Sequence, residues 1–168
     1  VACFRCGFVA LACSEQLRGD DLRLRFEMTA PAAIVADERN REALEASSPP
    51  CPIIWVDDEG VTDPARAAGA PEFAEMEGDE PCLITFTSGT TGEPKGVLHG
   101  QRYLPAQKLQ AEHWLGARPG ELVWCTAATG WSKSARNVFI APWITGAAAL
   151  LHDARFDPEE RLAIIEAE

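Results

Sequence analysis

Long apolar runs are missing from this 168-residue sequence, although 46% of its residues are hydrophobic. No window approaches the roughly 18 uninterrupted apolar residues that a membrane-spanning helix requires, and no basic and apolar leader opens the chain. We therefore expect no membrane span and a cytoplasmic location. The chain begins at Val1 rather than at a methionine, and it ends at Glu168 within an amphipathic helical pattern, so we expect both termini to be truncated.

Basic residues are scarce as well. The chain has 15 lysines and arginines against 26 aspartates and glutamates, which gives a net charge of −11. Residues 37–80 alone hold 13 of the acidic residues and only 3 arginines. Such a surface repels a phosphate backbone, so we expect no nucleic-acid partner. A small anionic ligand remains compatible with it, because charges are screened over about 10 Å at moderate salt.

Paired metal-ligand clusters are also missing. The six cysteines include one Cys-x-x-Cys, formed by Cys3 and Cys6, without a second pair. The histidines, at His99, His113 and His152, do not complete a ligand set at the spacing of a zinc site. We therefore expect no metal site within the chain, and we interpret the cysteines as buried free thiols that pack as small hydrophobic side chains.

Short apolar runs alternate with helical patterns along the chain, and this alternation predicts an α/β fold with sheets flanked by helices. Residues 47–81 contain six prolines and are predicted to form a surface connection with one short strand, inside a single domain that spans residues 1–168. The predicted strands cover residues 8–12, 32–36, 53–56, 82–87, 122–126 and 147–151. The predicted helices cover residues 20–29, 38–46, 101–115, 133–140 and 158–166.

Residues 20–29 are compatible with two conformations. Apolar residues occupy every second position from Leu22 to Met28, which is typical of a strand. Asp20 and Asp21 directly before them favour the start of a helix, because carboxylates interact well with the positive end of the helix dipole. We expect a helix.

The stretch CLITFTSGTTGEPKGVLH, residues 82–99, has the composition of an anion-binding loop. An apolar strand pattern runs directly into residues rich in hydroxyl groups and glycine. Gly89 and Gly92 allow positive φ angles and the close approach of backbone N–H groups to an anion. Lys95 adds a mobile positive charge that suits a polyphosphate. Side-chain donors are available at Thr87, Ser88, Thr90 and Thr91.

Two alternatives compete with this interpretation. A surface turn also collects small polar residues, but here an apolar strand leads straight in and four hydroxyl groups fall within five residues. A Walker-type loop requires a glycine directly before the lysine, whereas Glu93 and Pro94 separate Gly92 from Lys95. The Walker template therefore fails.

The segment TSGTTGEPKG, residues 87–96, resembles the phosphate-binding signature of the adenylate-forming superfamily of acyl-CoA synthetases, luciferases and peptide-synthetase adenylation domains. The resemblance implies that the chain is part of the large N-terminal α/β domain of such an enzyme and lacks the C-terminal domain. It also implies that the signature wraps the β- and γ-phosphates of ATP, with Lys95 as a catalytic residue. The implied ATP-binding residues are Thr87, Ser88, Gly89, Thr90, Thr91, Gly92, Glu93, Pro94 and Lys95.

Residues 123–158, VWCTAATGWSKSARNVFIAPWITGAAALLHDARFDP, resemble the medium-chain and related acyl-CoA synthetases. In those enzymes the Gly-Trp position lies near the acyl pocket, which implies that Gly130 and Trp131 line this pocket and that Trp131 limits the acyl length. Core packing is the competing role for Trp131. Packing is also the role that we assign to Trp55, Trp114, Trp124 and Trp143.

Three further polar residues have two possible roles each. His99 follows the proposed loop, where it either faces the site or is a satisfied structural histidine. Lys133 and Arg136 lie near the start of a predicted helix. They either steer an anion or belong to a solvated helix face. The sequence leaves these alternatives open.

The resemblance implies a reaction in two steps. A small carboxylic acid and ATP give an acyl-adenylate and pyrophosphate, and the thiol of coenzyme A then displaces AMP. ATP, Mg²⁺ and coenzyme A as co-substrate are the implied cofactors, with the Mg²⁺ ligand beyond the equivalent of Glu168. The 168-residue chain by itself is expected to be inactive. Two other functions remain as alternatives: a non-catalytic nucleotide-binding module, and an adenylating enzyme that loads a carrier protein.

Overall fold

A computed structural model describes residues 1–56, 72–87, 92–127, 132–152, 154 and 156–167. The strands are β1 Ala10–Leu11, β2 Ile34–Asp37, β3 Ile53–Val56, β4 Pro81–Thr87, β5 Lys95–Gly100, β6 Leu122–Trp124 and β7 Ala148–Leu150. The α-helices are α1 Ala2–Arg5, α2 Gly19–Thr29, α3 Arg41–Ser47, α4 Tyr103–Gln110, α5 Ser132–Ser134, α6 Ala141–Thr145 and α7 Pro158–Ala167. A 3₁₀ turn, Glu38–Asn40, precedes α3, and π-helical turns at Ala111–Leu115 and Ala135–Ile140 follow α4 and α5.

The described strands form three sheets. β4 is the central strand of the first sheet, parallel to β1 and antiparallel to β5. The other two sheets are parallel pairs, β2 with β3 and β6 with β7. Within this set of strands β5 is therefore an edge strand. Helices flank the sheets, so the predicted α/β fold is confirmed.

The segment with two possible conformations is the helix α2, as expected. The backbone N–H of Arg18 donates to the Asp21 carboxylate at 3.1 Å and closes the first turn. The acidic side chains of that turn interact favourably with the positive, N-terminal end of the helix dipole. Leu22 and Phe26 are buried one turn apart, whereas Met28 is 52% exposed. The burial therefore follows the helical period rather than the alternation.

Three apolar clusters hold the elements together. The first lies between α2 and α3 and packs on β2 and β3, the second joins β4 to the π-helical turn before α6, and the third joins α6 to the π-helical turn after α4. Their buried members are Leu22, Phe26 and Leu44, then Cys82, Leu83 and Ile140, and then Ala111, Ala117, Ala141 and Ala147.

The structure differs from the predicted elements in several places. α1 and the strand β5 were not predicted, and the strand predicted for residues 8–12 is reduced to β1. The helix predicted for residues 101–115 begins at Tyr103 and widens into a π-helical turn that ends at Gly116, whose φ is +67°. The helix predicted for 133–140 is partly π-helical and continues into α6, whose first turn accommodates Pro142 because the first turn needs no N–H at that position.

The cysteines are less buried than expected. Cys82 is buried, whereas Cys3 and Cys13 are exposed and the rest are half-buried. The small helix α1 and the segment after β1 lie at the surface, so the expectation of burial is correct for Cys82 alone. Among the described residues, no helix is long and apolar enough to cross a membrane.

Candidate functional site

The hairpin of β4 and β5 carries the two ends of the proposed phosphate loop. β4 is largely buried, as predicted, and ends at Thr87; β5 begins at Lys95. Thr87 and Lys95 are directly opposed in the antiparallel ladder, next to the pair of Phe86 and Gly96. Strand pairing thus closes residues 88–94 into one loop whose two ends are held together. Residues 88–91, with Ser88, Gly89, Thr90 and Thr91, lie outside the described residues.

Gly92 has a backbone conformation that suits the proposed role. Its φ is +98°, in a region that residues with a Cβ atom rarely adopt. A Cβ built on Gly92 would meet no atom of the described residues within 4 Å, and the residue is exposed. Gly92 thus has an exposed backbone with positive φ among the described residues, and Glu93 and Pro94 follow before the ladder resumes.

Lys95 is exposed at the first position of β5. Among the described residues no carboxylate lies within ion-pair distance of its ammonium group. The lysine thus combines an anchored backbone with a charge that no described acid neutralises. An anion held by the loop would be within the range of such a side chain.

His99 is satisfied within the hairpin rather than exposed to a ligand. Its Nε2 lies 3.1 Å from the hydroxyl oxygen of Thr85 on β4, and its ring packs against Tyr103 with the centroids 4.3 Å apart. Burial, assisted by the positive charge of Arg136, holds the pKa of His99 below its ordinary value of 6.5. Burial also raises the pKa of Tyr103. Of the two roles left open by the sequence, these contacts favour the structural one.

The remaining residues for which the sequence predicts a site role lie between β6 and α6. Gly130 and Trp131, the predicted residues of the acyl pocket, lie outside the described residues. Lys133 is exposed, and Arg136 is half-buried, with its guanidinium carbon 6.0 Å from the centre of the Trp114 ring. The contact with Trp114 therefore removes Arg136 from a solvated helix face, whereas the exposure of Lys133 is compatible with one.

Two of the four tryptophans assigned to packing are not core residues. Trp55 packs on the α2–α3 cluster and Trp124 is half-buried, as expected. Trp114 is 61% exposed and Trp143 is 47% exposed, so the assignment was wrong for these two. The sequence pattern alone did not distinguish these exposed tryptophans from buried ones.

Within the described ranges, no group of three or more histidine, cysteine, aspartate or glutamate side chains is arranged to hold a metal ion. The hairpin itself offers backbone groups, hydroxyl groups and a lysine. These are ligands for phosphate oxygens rather than for a metal ion.

The whole chain matches a known protein family. The family model described as "AMP-binding enzyme" matches residues 1–168. An uncharacterized acyl-CoA ligase of Bacillus subtilis, YtcI, is 33% identical over 98% of this chain and 33% of its own length. The rat mitochondrial acyl-coenzyme A synthetase ACSM4 is 30% identical over 90% of this chain and 28% of its own.

A solved structure shares the fold. The acyl-CoA synthetase of Brucella canis superposes with a TM-score of 0.83 at 23% identity, over 98% of this chain and 32% of its own chain. The chain thus spans about a third of the length of the proteins that it matches.

Proposed function

Because this chain belongs to the AMP-binding enzyme family, we propose that the full-length protein that carries it activates a small carboxylic acid with ATP and transfers the acyl group to coenzyme A. Two relatives that match at least 90% of this chain are named as an acyl-CoA ligase and an acyl-coenzyme A synthetase, which supports an acid-thiol ligase as the parent protein. The chain is proposed to be part of one AMP-binding N-terminal domain. Its cytoplasmic location remains a prediction.

The observation that carries the proposal is the closure of the signature by the pair of Thr87 and Lys95. A loop with both ends fixed in a ladder can present several backbone N–H groups to one anion without reordering when the anion binds. The positive φ of Gly92 and the uncompensated charge of Lys95 fit a triphosphate. We assign the binding of the β- and γ-phosphates to residues 87–95, including the undescribed Ser88, Gly89, Thr90 and Thr91.

Lys95 has the clearest chemical task in this scheme. A carboxylate must approach a phosphorus atom that is surrounded by negative oxygens, so the barrier depends on neutralising charge and on alignment. The ammonium group of Lys95 would neutralise charge that accumulates on the departing pyrophosphate, while the loop N–H groups and the Thr87 hydroxyl hold the phosphates in place. No covalent nucleophile is required for this step.

Other parts of the reaction need groups beyond these residues. The described residues offer no cluster for a metal ion, so the ligand of Mg²⁺ is proposed to lie in the remaining two thirds of the full-length protein. When bound, Mg²⁺ would supply further charge neutralisation at the phosphates. Gly130 and Trp131 are proposed to border the acyl group.

The test is ATP–pyrophosphate exchange by the full-length protein with a panel of carboxylic acids, followed by a thioester assay with coenzyme A. We expect acid-dependent exchange and thioester formation, and neither from the 168-residue chain alone. Exchange that is followed by acyl transfer to a carrier protein, and not to coenzyme A, would show that the acceptor is a carrier protein. If the protein binds nucleotide but catalyses exchange with none of the acids, it is a non-catalytic nucleotide-binding module.

A further inference from the structure

Cys3 and Cys6 are a pair of thiols that the proposed reaction does not use. Cys3 is exposed and Cys6 is half-buried, although cysteine is among the residue types that proteins bury most often. Within the described residues, no group of three or more metal-ligating side chains is arranged to hold a metal ion, so neither thiol belongs to a described metal site. Two neighbouring thiols can instead be oxidised to a disulfide.

The helix α1 places these two thiols one turn apart. Cys3 lies within α1, and Cys6 is the residue that caps its C-terminal end, where its N–H donates to the carbonyl of Ala2 at 3.0 Å. For residues three apart, the rise and radius of an α-helix give a Cα–Cα distance of about 5 Å, which is within the range of a disulfide. The Cβ atoms of such residues are about 5–6 Å apart, so a disulfide requires an approach of roughly 1.5 Å.

The end of α1 is suited to this adjustment. Cys6 directly follows the last residue of the helix and has a φ of −92° and a ψ of 4°. Gly7 comes next, with a φ of +71°. Residues at a helix end are held by fewer backbone hydrogen bonds than residues in the helix interior. Cys6 can therefore move towards Cys3 without the loss of an interior helical turn.

The neighbours of Cys6 on both sides contact the segment of residues 73–76. The carbonyl of Arg5 accepts a hydrogen bond from the N–H of Ala74 at 2.9 Å. Gly7 lies so close to the same segment that a Cβ built on it would be 3.1 Å from the Cβ of Ala74. Since Cys6 is bonded to both Arg5 and Gly7, a movement of Cys6 changes these contacts.

We propose that Cys3 and Cys6 are a redox modification site, which glutathione disulfide oxidises to one intramolecular disulfide. The exposed thiolate of Cys3 attacks one sulfur of glutathione disulfide, which gives a mixed disulfide and releases one glutathione thiolate. The thiolate of Cys6 then attacks the Cys3 sulfur and releases the second glutathione thiolate. The two protons from the protein thiols pass to the two glutathione thiolates. Two protein thiols are thus oxidised, and one glutathione disulfide is reduced to two thiols.

The site goes beyond the proposed ligase activity and does not depend on it. Neither cysteine is among the residues assigned above to phosphate binding or to the acyl pocket, and thiol–disulfide exchange needs no ATP. Exposed disulfides are the ones that thiols reduce most readily. The modification is therefore reversible.

The test uses the reduced full-length protein, which is incubated with glutathione disulfide, treated with a maleimide to block the remaining thiols, and digested with trypsin. Trypsin cleaves after Arg5, so the disulfide joins two peptides that mass spectrometry detects as one linked species. We expect this species in the oxidised sample and its loss after treatment with dithiothreitol. Absence of the linked species, or a reduced protein in which a maleimide labels neither cysteine, would overturn the proposal.

Variants assign the bond, because Cys13 is in the same tryptic peptide as Cys6 and is also exposed. Cys13→Ser should retain the linked species. Cys6→Ser should abolish it and leave glutathione attached to Cys3, because the second step then has no thiol. Loss of the link in Cys13→Ser, or its persistence in Cys6→Ser, would show that Cys3 pairs with Cys13 and that the assignment is wrong. Circular dichroism confirms that each variant is folded.

Hydrogen exchange measures the effect of the disulfide on the segment of residues 73–76. Oxidation should speed the exchange of the Ala74 amide, because the hydrogen bond to the Arg5 carbonyl is disturbed when Cys6 moves. Cys6→Ser, treated with glutathione disulfide in the same way, is the matched control and should show no change. Identical exchange in the reduced and oxidised wild-type protein would contradict the coupling between Cys6 and this segment.

Discussion

The hydroxyl Oγ1 of Thr85 lies 3.1 Å from Nε2 of His99 and joins β4 to β5 across the first sheet. Thr85 is two residues before Thr87, so this contact lies on the same face of the hairpin as the residues that close the proposed phosphate loop. Tyr103 covers the imidazole from the start of α4. The strands that end at the loop are thereby joined by a small, largely buried polar group.

Lys95→Ala is expected to lower the rate of ATP–pyrophosphate exchange about 100- to 1,000-fold in the full-length protein, the range seen when one preorganised group that stabilises charge is removed. Lys95→Arg should retain part of the activity, because it keeps the charge. Lys108→Ala should have no effect. Exchange at the unmodified rate by Lys95→Ala would show that this lysine has no catalytic role.

Gly92→Ala should destabilise the protein by about 1–3 kcal/mol, because alanine at a φ of +98° is strained even where its Cβ has space. It should also weaken ATP binding, since the loop backbone would shift. Gly120→Ala is the matched control: its φ is +81° and its Cβ would also meet no described atom, but it lies in the turn before β6. Urea denaturation and nucleotide titration separate the effects; equal losses of ATP affinity in both variants would contradict the assignment.

Acidification should weaken the fold through His99. In the folded protein, burial lowers the pKa of His99 below its ordinary value of 6.5. Below pH 6.5 the unfolded chain therefore binds the proton more readily than the folded protein does. Stability from this group is complete above pH 6.5 and is lost as the pH falls towards the folded pKa.

The measurement is the midpoint of urea denaturation at several values between pH 7 and pH 5. His99→Gln should reduce the loss of stability over this window, while His113→Gln, at an exposed position, should leave it unchanged. An identical pH dependence in wild type and His99→Gln would exclude this role.

Trp131→Gly tests the proposed acyl pocket. Removal of the indole should extend the range of acyl lengths that the full-length protein activates, because the side chain would no longer limit the pocket. The measurement is kcat/KM in the exchange assay across linear acids of increasing length. Trp55→Phe is a suitable control, since Trp55 packs on the α2–α3 cluster. A length profile that does not change in Trp131→Gly would remove Trp131 from the pocket.

The strength of the local signals decided which elements could be predicted. α2 was predictable because Asp20 and Asp21 mark its start. β4 was predictable because a continuous apolar run precedes the loop. β5 was missed, since KGVLHG combines two glycines with only two strongly apolar residues, and its conformation depends on pairing with β4.

The candidate site was predictable only in part. Phosphate binding was predicted from the glycines, hydroxyl groups and lysine of residues 87–96 and stays a prediction, whereas the pairing of Thr87 with Lys95 is a property of the ladder that the sequence does not indicate.

The position of β5 at the edge of its sheet has a consequence for handling the protein. Val97 and Leu98 are 40% and 58% exposed, and one side of the strand has backbone N–H and C=O groups without partners in the described sheet. Such an edge is a template for self-association. We therefore expect the isolated 168-residue polypeptide to precipitate at concentrations where the full-length protein stays dissolved, with intermolecular strand addition as the initial event.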